Sequence, residues 1–325
     1  MKLQYLSILG LLATPLLAHK EVSSEEHKRS AELSKRCSSG TASYNKRRYE
    51  RRNAEALAKR SGSTTYSITT EAPYYDVLQN DTCVLGADVT AGPYYWPRSE
   101  TLRQDMTEDQ VGIPLTLDVG LIDMATCEPL PNALVAFWHC NSTGSYSSFT
   151  GQDPNIPFPT LLQGLNITNF TYGVTDIHTD DSTWLRGMWP SNDEGMLEMK
   201  TIFPGFYVKR AIHIHVQVFT DYVLHSNGTV VTGNLNSIGQ FYFNEDVIET
   251  ILAEEPYASH TQINRTTNAE DNYYYGGFAN GYNPVVDIIP VDGEDITKGM
   301  IGYITIGIDT TASPVLDPPR TPRTN

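Results

Sequence analysis

The sequence predicts an all-β protein: an antiparallel β-sandwich core with long loops and a short N-terminal helical arm. Three observations predict it. Apolar residues alternate with polar or small ones at Leu115, Leu117, Val119 and Leu121, and again at Ile212, Ile214, Val216 and Val218. That two-residue period places one side of a strand on a core. Stripes with the 3.6-residue helical period are scarce. Finally, 24 Gly and 19 Pro, together with Asn and Asp, divide the chain into short segments, as the turns of a sandwich do.

The elements follow in chain order. Lys2, the apolar run Leu3 to Leu12 and the small-residue stretch Leu16-Leu17-Ala18 have the three regions of a secretory leader over residues 1–18. Residues 19–60 form a basic arm with dibasic pairs at Lys35-Arg36, Arg47-Arg48, Arg51-Arg52 and Lys59-Arg60, and with good helix formers from Asn53 to Lys59. The arm is either a propeptide cut at such pairs or an ordered extension. Residues 61–310 form the main domain. Its strands are expected at Leu115 to Leu121, Ala133 to Trp138, Ile212 to Val218 and Ile301 to Ile308, with residues 150–183 as long loops over them. The tail, residues 311–325, holds four prolines and is expected to be extended or disordered.

Charge and cysteine content narrow the function classes. Residues 1–60 carry 13 basic and 6 acidic side chains, against 10 and 32 in residues 61–325. So acidic a body repels a phosphate backbone, and nucleic acid is excluded as a partner. After the leader no apolar run approaches the ~20 residues that span a bilayer, so no membrane partner is expected. Six Asn-x-Ser/Thr sequons, at Asn80, Asn141, Asn166, Asn169, Asn227 and Asn264, suit a secreted glycoprotein. In that compartment Cys37, Cys83, Cys127 and Cys140 are expected to form two disulfides, with three connectivities open. Their wide spacing is not that of a zinc site.

The sharpest local feature is Ala211-Ile-His-Ile-His-Val-Gln-Val-Phe219. On a strand, residues i and i+2 share a face with Cα atoms roughly 6–7 Å apart, so His213 and His215 point the same way and can converge on one transition metal. Other stretches accompany it: Gly92-Pro-Tyr-Tyr-Trp-Pro97, Trp138-His-Cys-Asn-Ser-Thr-Gly-Ser-Tyr146, Leu185-Arg-Gly187, Phe203-Pro-Gly-Phe-Tyr207 and Gly239-Gln-Phe-Tyr-Phe243. His139, His178, His225 and His260 carry no comparable pattern. A structural turn is the reading for the Tyr273-Tyr-Tyr275 tract. Hydrolase, kinase and dehydrogenase motifs are absent from the sequence.

In order and spacing over about residues 80–310, these stretches resemble the intradiol ring-cleavage dioxygenases and are most similar to their secreted fungal branch. The resemblance implies a mononuclear non-haem Fe(III) held by Tyr146, Tyr207, His213 and His215. It places the family's active-site arginine at Arg210 and its glutamine at Gln240. Phenolates favour ferric over ferrous iron, unlike the two-histidine, one-carboxylate triad. The implied reaction takes a catechol-type diol and O2. The diol displaces Tyr207, which serves as a base, and the ring opens between the two hydroxyl-bearing carbons to a muconate-type dicarboxylic acid. Arg210 is expected to stabilise developing negative charge, and Gln240 to hold Arg210 or the displaced tyrosine. The acidic body points to neutral catechols or hydroxyquinols. The alternative from another class is a secreted glycan- or wall-binding module without turnover.

Overall fold

The computed structural model describes residues 32, 36, 37, 40, 43, 44, 46–48, 91–99, 101–171, 173–226, 230–277 and 283–312. The leader, the run Asn53 to Lys59, Cys83 and the tail from residue 313 lie outside them. Eleven strands dominate the described residues: β1 Pro114–Asp123, β2 Glu128–Pro129, β3 Leu134–Trp138, β4 Arg186–Pro190, β5 Met196–Ile202, β6 His213–Phe219, β7 Tyr222–Leu224, β8 Val230–Thr232, β9 Leu235–Tyr242, β10 Asp287–Pro290 and β11 Met300–Ile308. The α-helices are short: α1 Phe158–Gly164, α2 Glu245–Leu252 and α3 Asn272–Gly277. The four strands expected from alternation are therefore present as β1, β3, β6 and β11.

The strands form a five-stranded sheet with the path β10-β11-β1-β2, β5 also pairing with β1, and a four-stranded sheet ordered β4-β3-β6-β9; β7 and β8 make a separate pair. The smaller sheet is antiparallel throughout. The larger is mixed, which corrects the antiparallel expectation: β1 and β11 run parallel, with Leu115 beside Met300 and Asp123 beside Ile308. The chain reaches β11 only after crossing the whole domain, so no hairpin constrains its direction.

Alternation explains which face each strand buries. Leu115, Leu117, Val119 and Leu121 of β1 join Val135 and Phe137 of β3 and Ile214, Val216 and Val218 of β6 in one fully buried cluster. Burial of each such side chain is worth about 1.5–3 kcal/mol. In β6 every residue is buried. Its isoleucine and valines enter this core, while His213, His215 and Gln217 face the other side, under the loops at residues 91–99 and 141–183.

On the opposite flank, Arg48 of the basic arm is buried against β1 and β11. It is ion-paired with Asp118 and donates to the Asp118 carbonyl and to Thr305 Oγ1, each at 2.7 Å. Tyr44 Oη donates to the Glu194 carbonyl at 2.8 Å, and Cys37 is disulfide-bonded to Cys127. The described arm residues are helical. Cys140, however, is unbridged and buried, its thiol donating to the Gly205 carbonyl at 3.3 Å. The expected second disulfide is absent among the described residues; Cys83, the remaining cysteine, lies outside them. Residues 150–183, expected as loop throughout, contain α1; Pro157 fixes its entry and Pro159 its first turn.

Candidate active site

Two tyrosine-bearing loops meet above the outer face of the four-stranded sheet. The first is a turn closed by Asn141, whose Oδ1 accepts from the Thr143 and Ser145 amides at 3.1 and 3.0 Å. Arg186 braces it from below, donating to Ser147 Oγ and to the Ser147 carbonyl, both at 2.8 Å. The second loop carries Tyr207 between β5 and β6. Glycine is required where the loops touch. A Cβ on Gly144, which has a φ of 87°, would stand 2.1 Å from the Phe206 carbonyl oxygen, and one on Gly205 would stand 2.3 Å from that of Ser142. Neither distance is physically possible, so these two glycines set how closely Tyr146 and Tyr207 approach.

The four side chains singled out in sequence come together. The rings of Tyr146 and Tyr207 lie 5.6 Å apart, Tyr207 and His213 5.7 Å, His213 and His215 4.6 Å, and Tyr146 and His215 6.3 Å between centroids. The two Nε2 atoms face each other at 3.1 Å, with Tyr207 Oη 3.4 Å from His213 Nε2. His213 Nδ1 lies 2.7 Å from the Ala211 carbonyl. It must therefore carry the proton, which leaves the Nε2 lone pair directed at the cluster. The buried Tyr146 hydroxyl has no hydrogen-bond partner among the described residues.

The protonation states suit a set of metal donors. Burial, reinforced by Arg210, holds His213 well below the ordinary histidine range, and burial with His213 and Arg210 does the same for His215. Burial also raises both Tyr146 and Tyr207. Neutral imidazoles are ready to donate lone pairs, and the phenols stay protonated unless a strong Lewis acid ionises them. Among the described residues no three His, Cys, Asp or Glu side chains are grouped to hold a metal ion, so any such site depends on the phenols. Two phenols and two imidazoles fit a ferric ion by donor type.

Arg210 and Gln240 adjoin this cluster. Arg210 Nη2 donates to Gln240 Oε1, which also accepts from Tyr242 Oη at 2.8 Å. Burial opposes the Arg210 charge, but Tyr207, Tyr242 and Asp271 more than offset it and keep the guanidinium firmly protonated. The strand register aligns the remaining parts. Arg186, Trp138, His215 and Gln240 are successive partners across β4, β3, β6 and β9, so they form one row on the outer face of the sheet. Gly92, with a φ of 74°, passes over the row; a Cβ there would lie 3.2 Å from His215 Cε1. Tyr94 stacks on Tyr146 at 4.6 Å and meets Tyr207 edge-on at 5.8 Å.

Five of these residues carry no role from the sequence alone. Trp138, Tyr94, Arg186 and Tyr242 stand inside quoted motifs but only the fold brings them against the cluster. Asp271 had no signal, being one of 38 acidic residues. The other histidines stay outside. His139 lies between the Cys140 carbonyl and Thr201 Oγ1, each at 2.7 Å, and burial pushes it down to about 4. His178 stacks on Trp96 beside Asp176, His260 stacks on Phe206, and His225 is exposed.

The dioxygenase family model matches residues 90–276, more than half of the chain, and the chain belongs to the intradiol ring-cleavage dioxygenases. An intradiol ring-cleavage dioxygenase from Tetranychus urticae is 26% identical with a TM-score of 0.54, covering 71% of this chain and 96% of its own. A second solved dioxygenase is 27% identical with a TM-score of 0.55, covering 72% and 98%. No curated protein matches the chain. The chain is thus an intradiol ring-cleavage enzyme rather than a binding module, and its family acts on catechol-type substrates with O2.

Proposed function

We propose that this protein is a secreted, Fe(III)-dependent dioxygenase that opens catechol-type rings between the two hydroxyl-bearing carbons. The single observation that carries the iron assignment is the meeting of Tyr146, Tyr207, His213 and His215, with both imidazoles neutral and both phenols buried. When bound, a ferric ion ionises the phenols and holds a catechol as its dianion, making the ring reactive toward O2.

The chain's own residues do the rest. Tyr146, stacked on Tyr94 and braced through Ser147 by Arg186, is the fixed phenol. Tyr207, buried but slightly more exposed than Tyr146, is the phenol whose oxygen would accept one catechol proton. His213 and His215 hold their lone pairs inward, one through the Ala211 carbonyl and the other through the Trp138 ring. Arg210, kept charged, stabilises negative charge that grows on the substrate, and Gln240 with Tyr242 fixes the direction of its Nη2. The products of this reading are muconate-type dicarboxylic acids.

The two sheets, sharing one apolar cluster, are read as the two halves of a β-sandwich spanning the main domain, residues 61–310. Secretion is supported by the leader sequence, the sequons and the Cys37–Cys127 bridge. The test is iron content together with oxygen uptake on catechol, in the native protein and in Tyr146→Phe and His213→Ala. Loss of both iron and uptake in the variants is expected. A folded native protein that takes up no iron contradicts the assignment.

A further inference from the structure

Arg210 has a second anchor, one that its motif does not announce. Asp271 Oδ2 accepts from Arg210 Nε at 3.0 Å and from the Ala211 amide at 2.8 Å, and its side chain is 1% exposed. Asp271 Oδ1 accepts from the Tyr273 amide at 2.8 Å. The Tyr273 ring lies 4.2 Å from Arg210 Cζ. One carboxylate thus ties the guanidinium, the chain entering β6 and the start of α3 together.

The pairing also fixes the charge of the site. In a buried setting an ion pair at this distance is close to neutral as seen from a ring substituent several ångströms away, while Nη2 still acts on an oxygen in contact with it; a lone guanidinium would attract a distant anion as well. Arg186, the other buried cation near the cluster, is separated from His215 by Trp138 in the cross-strand row, and its donors go to Ser147 and the Tyr94 carbonyl. The side chain packed directly on both tyrosines, Tyr94, is aromatic, as is Phe158 behind it. Asp153 adds negative charge near Tyr94. Among the described residues, the two buried cations beside the cluster are thus both engaged, and a ring substituent that carries a carboxylate would shed its hydration without gaining a full counter-charge from either.

We propose that Asp271 is the specificity-determining residue of this site: by fixing Arg210 and offsetting the long-range field of its charge, it restricts the enzyme to catechols without a ring carboxylate. The inference rests on the dioxygenase reading above and adds to it the class of substrate. Asp271 acts through Arg210 and is a positioning residue, not a catalytic one.

The test compares catechol with 3,4-dihydroxybenzoate in the iron-loaded full chain and in its Asp271→Asn variant, which keeps an acceptor for Ala211 but removes the charge. The native enzyme should favour catechol by about a hundredfold or more in kcat/KM. Asp271→Asn should move that ratio toward the acid by about tenfold, mainly through KM for the acid, a swing of about 1.4 kcal/mol, while iron content and the visible absorption stay as in the native protein. A ratio that does not move, or a native enzyme that uses the acid as well as catechol, overturns the proposal while leaving the dioxygenase reading intact. A native protein that turns over neither diol overturns both. Should the variant fail to fold, inhibition of the native enzyme by 4-hydroxybenzoate and by phenol decides: weaker inhibition by the acid is expected, and equal or stronger inhibition by it overturns the proposal.

Discussion

The indole of Trp138 and the imidazole of His215 lie parallel, with 4.7 Å between centroids and 1° between planes. They are directly opposed residues of β3 and β6. His213 has a hydrogen bond to hold its ring, whereas His215 Nδ1 has no partner among the described residues. The stack and the close approach of Gly92 take the place of the hydrogen bond that usually orients a metal-binding histidine. Trp138→Leu should release iron about tenfold faster than Trp138→Phe, followed as bleaching of the visible absorption in a chelator. Equal retention in the two variants would show that the ring does not orient His215.

The two loop glycines give a second expectation. Gly144→Ala and Gly205→Ala each place a methyl group against a backbone carbonyl that cannot move without separating the tyrosine loops. Each should cost about 3 kcal/mol or more and weaken iron binding in whatever protein still folds. Unfolding midpoints and iron content provide the readings; a Gly205→Ala protein with native stability would mean that the loops tolerate a wider spacing.

Much of this arrangement was legible in the sequence, for local reasons. Alternation along β1 and β6 marks both strands and the shared face of His213 and His215, because side-chain direction on a strand depends only on parity. Long-range register is a different matter. Nothing near Met300 says that β11 lies parallel to β1, and nothing near Trp138 says that it opposes His215, since pairing is decided by the whole core. Asp271 was invisible for the same reason: a single carboxylate gains meaning only once α3 is folded against the start of β6. Cys140 misled because cysteine counting assumes pairing, whereas burial, which pushes this thiol up to about 12, and the Gly205 carbonyl give it a place of its own.

Asp287 on β10 supplies a pH dependence. Its carboxyl ionises near ~4 in an unfolded chain, but burial in the fold pushes it up to about 7. Between those values the unfolded state releases a proton that the folded state keeps. Stability present below pH ~4 is therefore lost as the pH rises through 7. Asp287→Asn should match the native protein in denaturant unfolding at pH 3 and exceed it by about 3–4 kcal/mol at pH 7.5. An equal difference at both pH values would mean that this carboxyl is not held protonated.

The buried pair Arg48–Asp118 ties this point of the arm to β1. Removing one partner leaves a buried charge without compensation, so Arg48→Ala should lose about 3–5 kcal/mol, and adding Asp118→Asn should restore part of the loss. Denaturant midpoints of the single and double variants measure this. An Arg48→Ala protein as stable as the native one would place the arm outside the cooperative unit.

The most direct measurement is the visible spectrum and iron stoichiometry of the purified protein, read alongside oxygen uptake on catechol. The expected result is a wine-red protein with about one iron per chain, whose colour disappears in Tyr146→Phe or His213→Ala together with turnover. A folded, colourless protein that consumes oxygen with catechol at the same rate whether or not Tyr146 and His213 are intact would contradict the four-residue iron site.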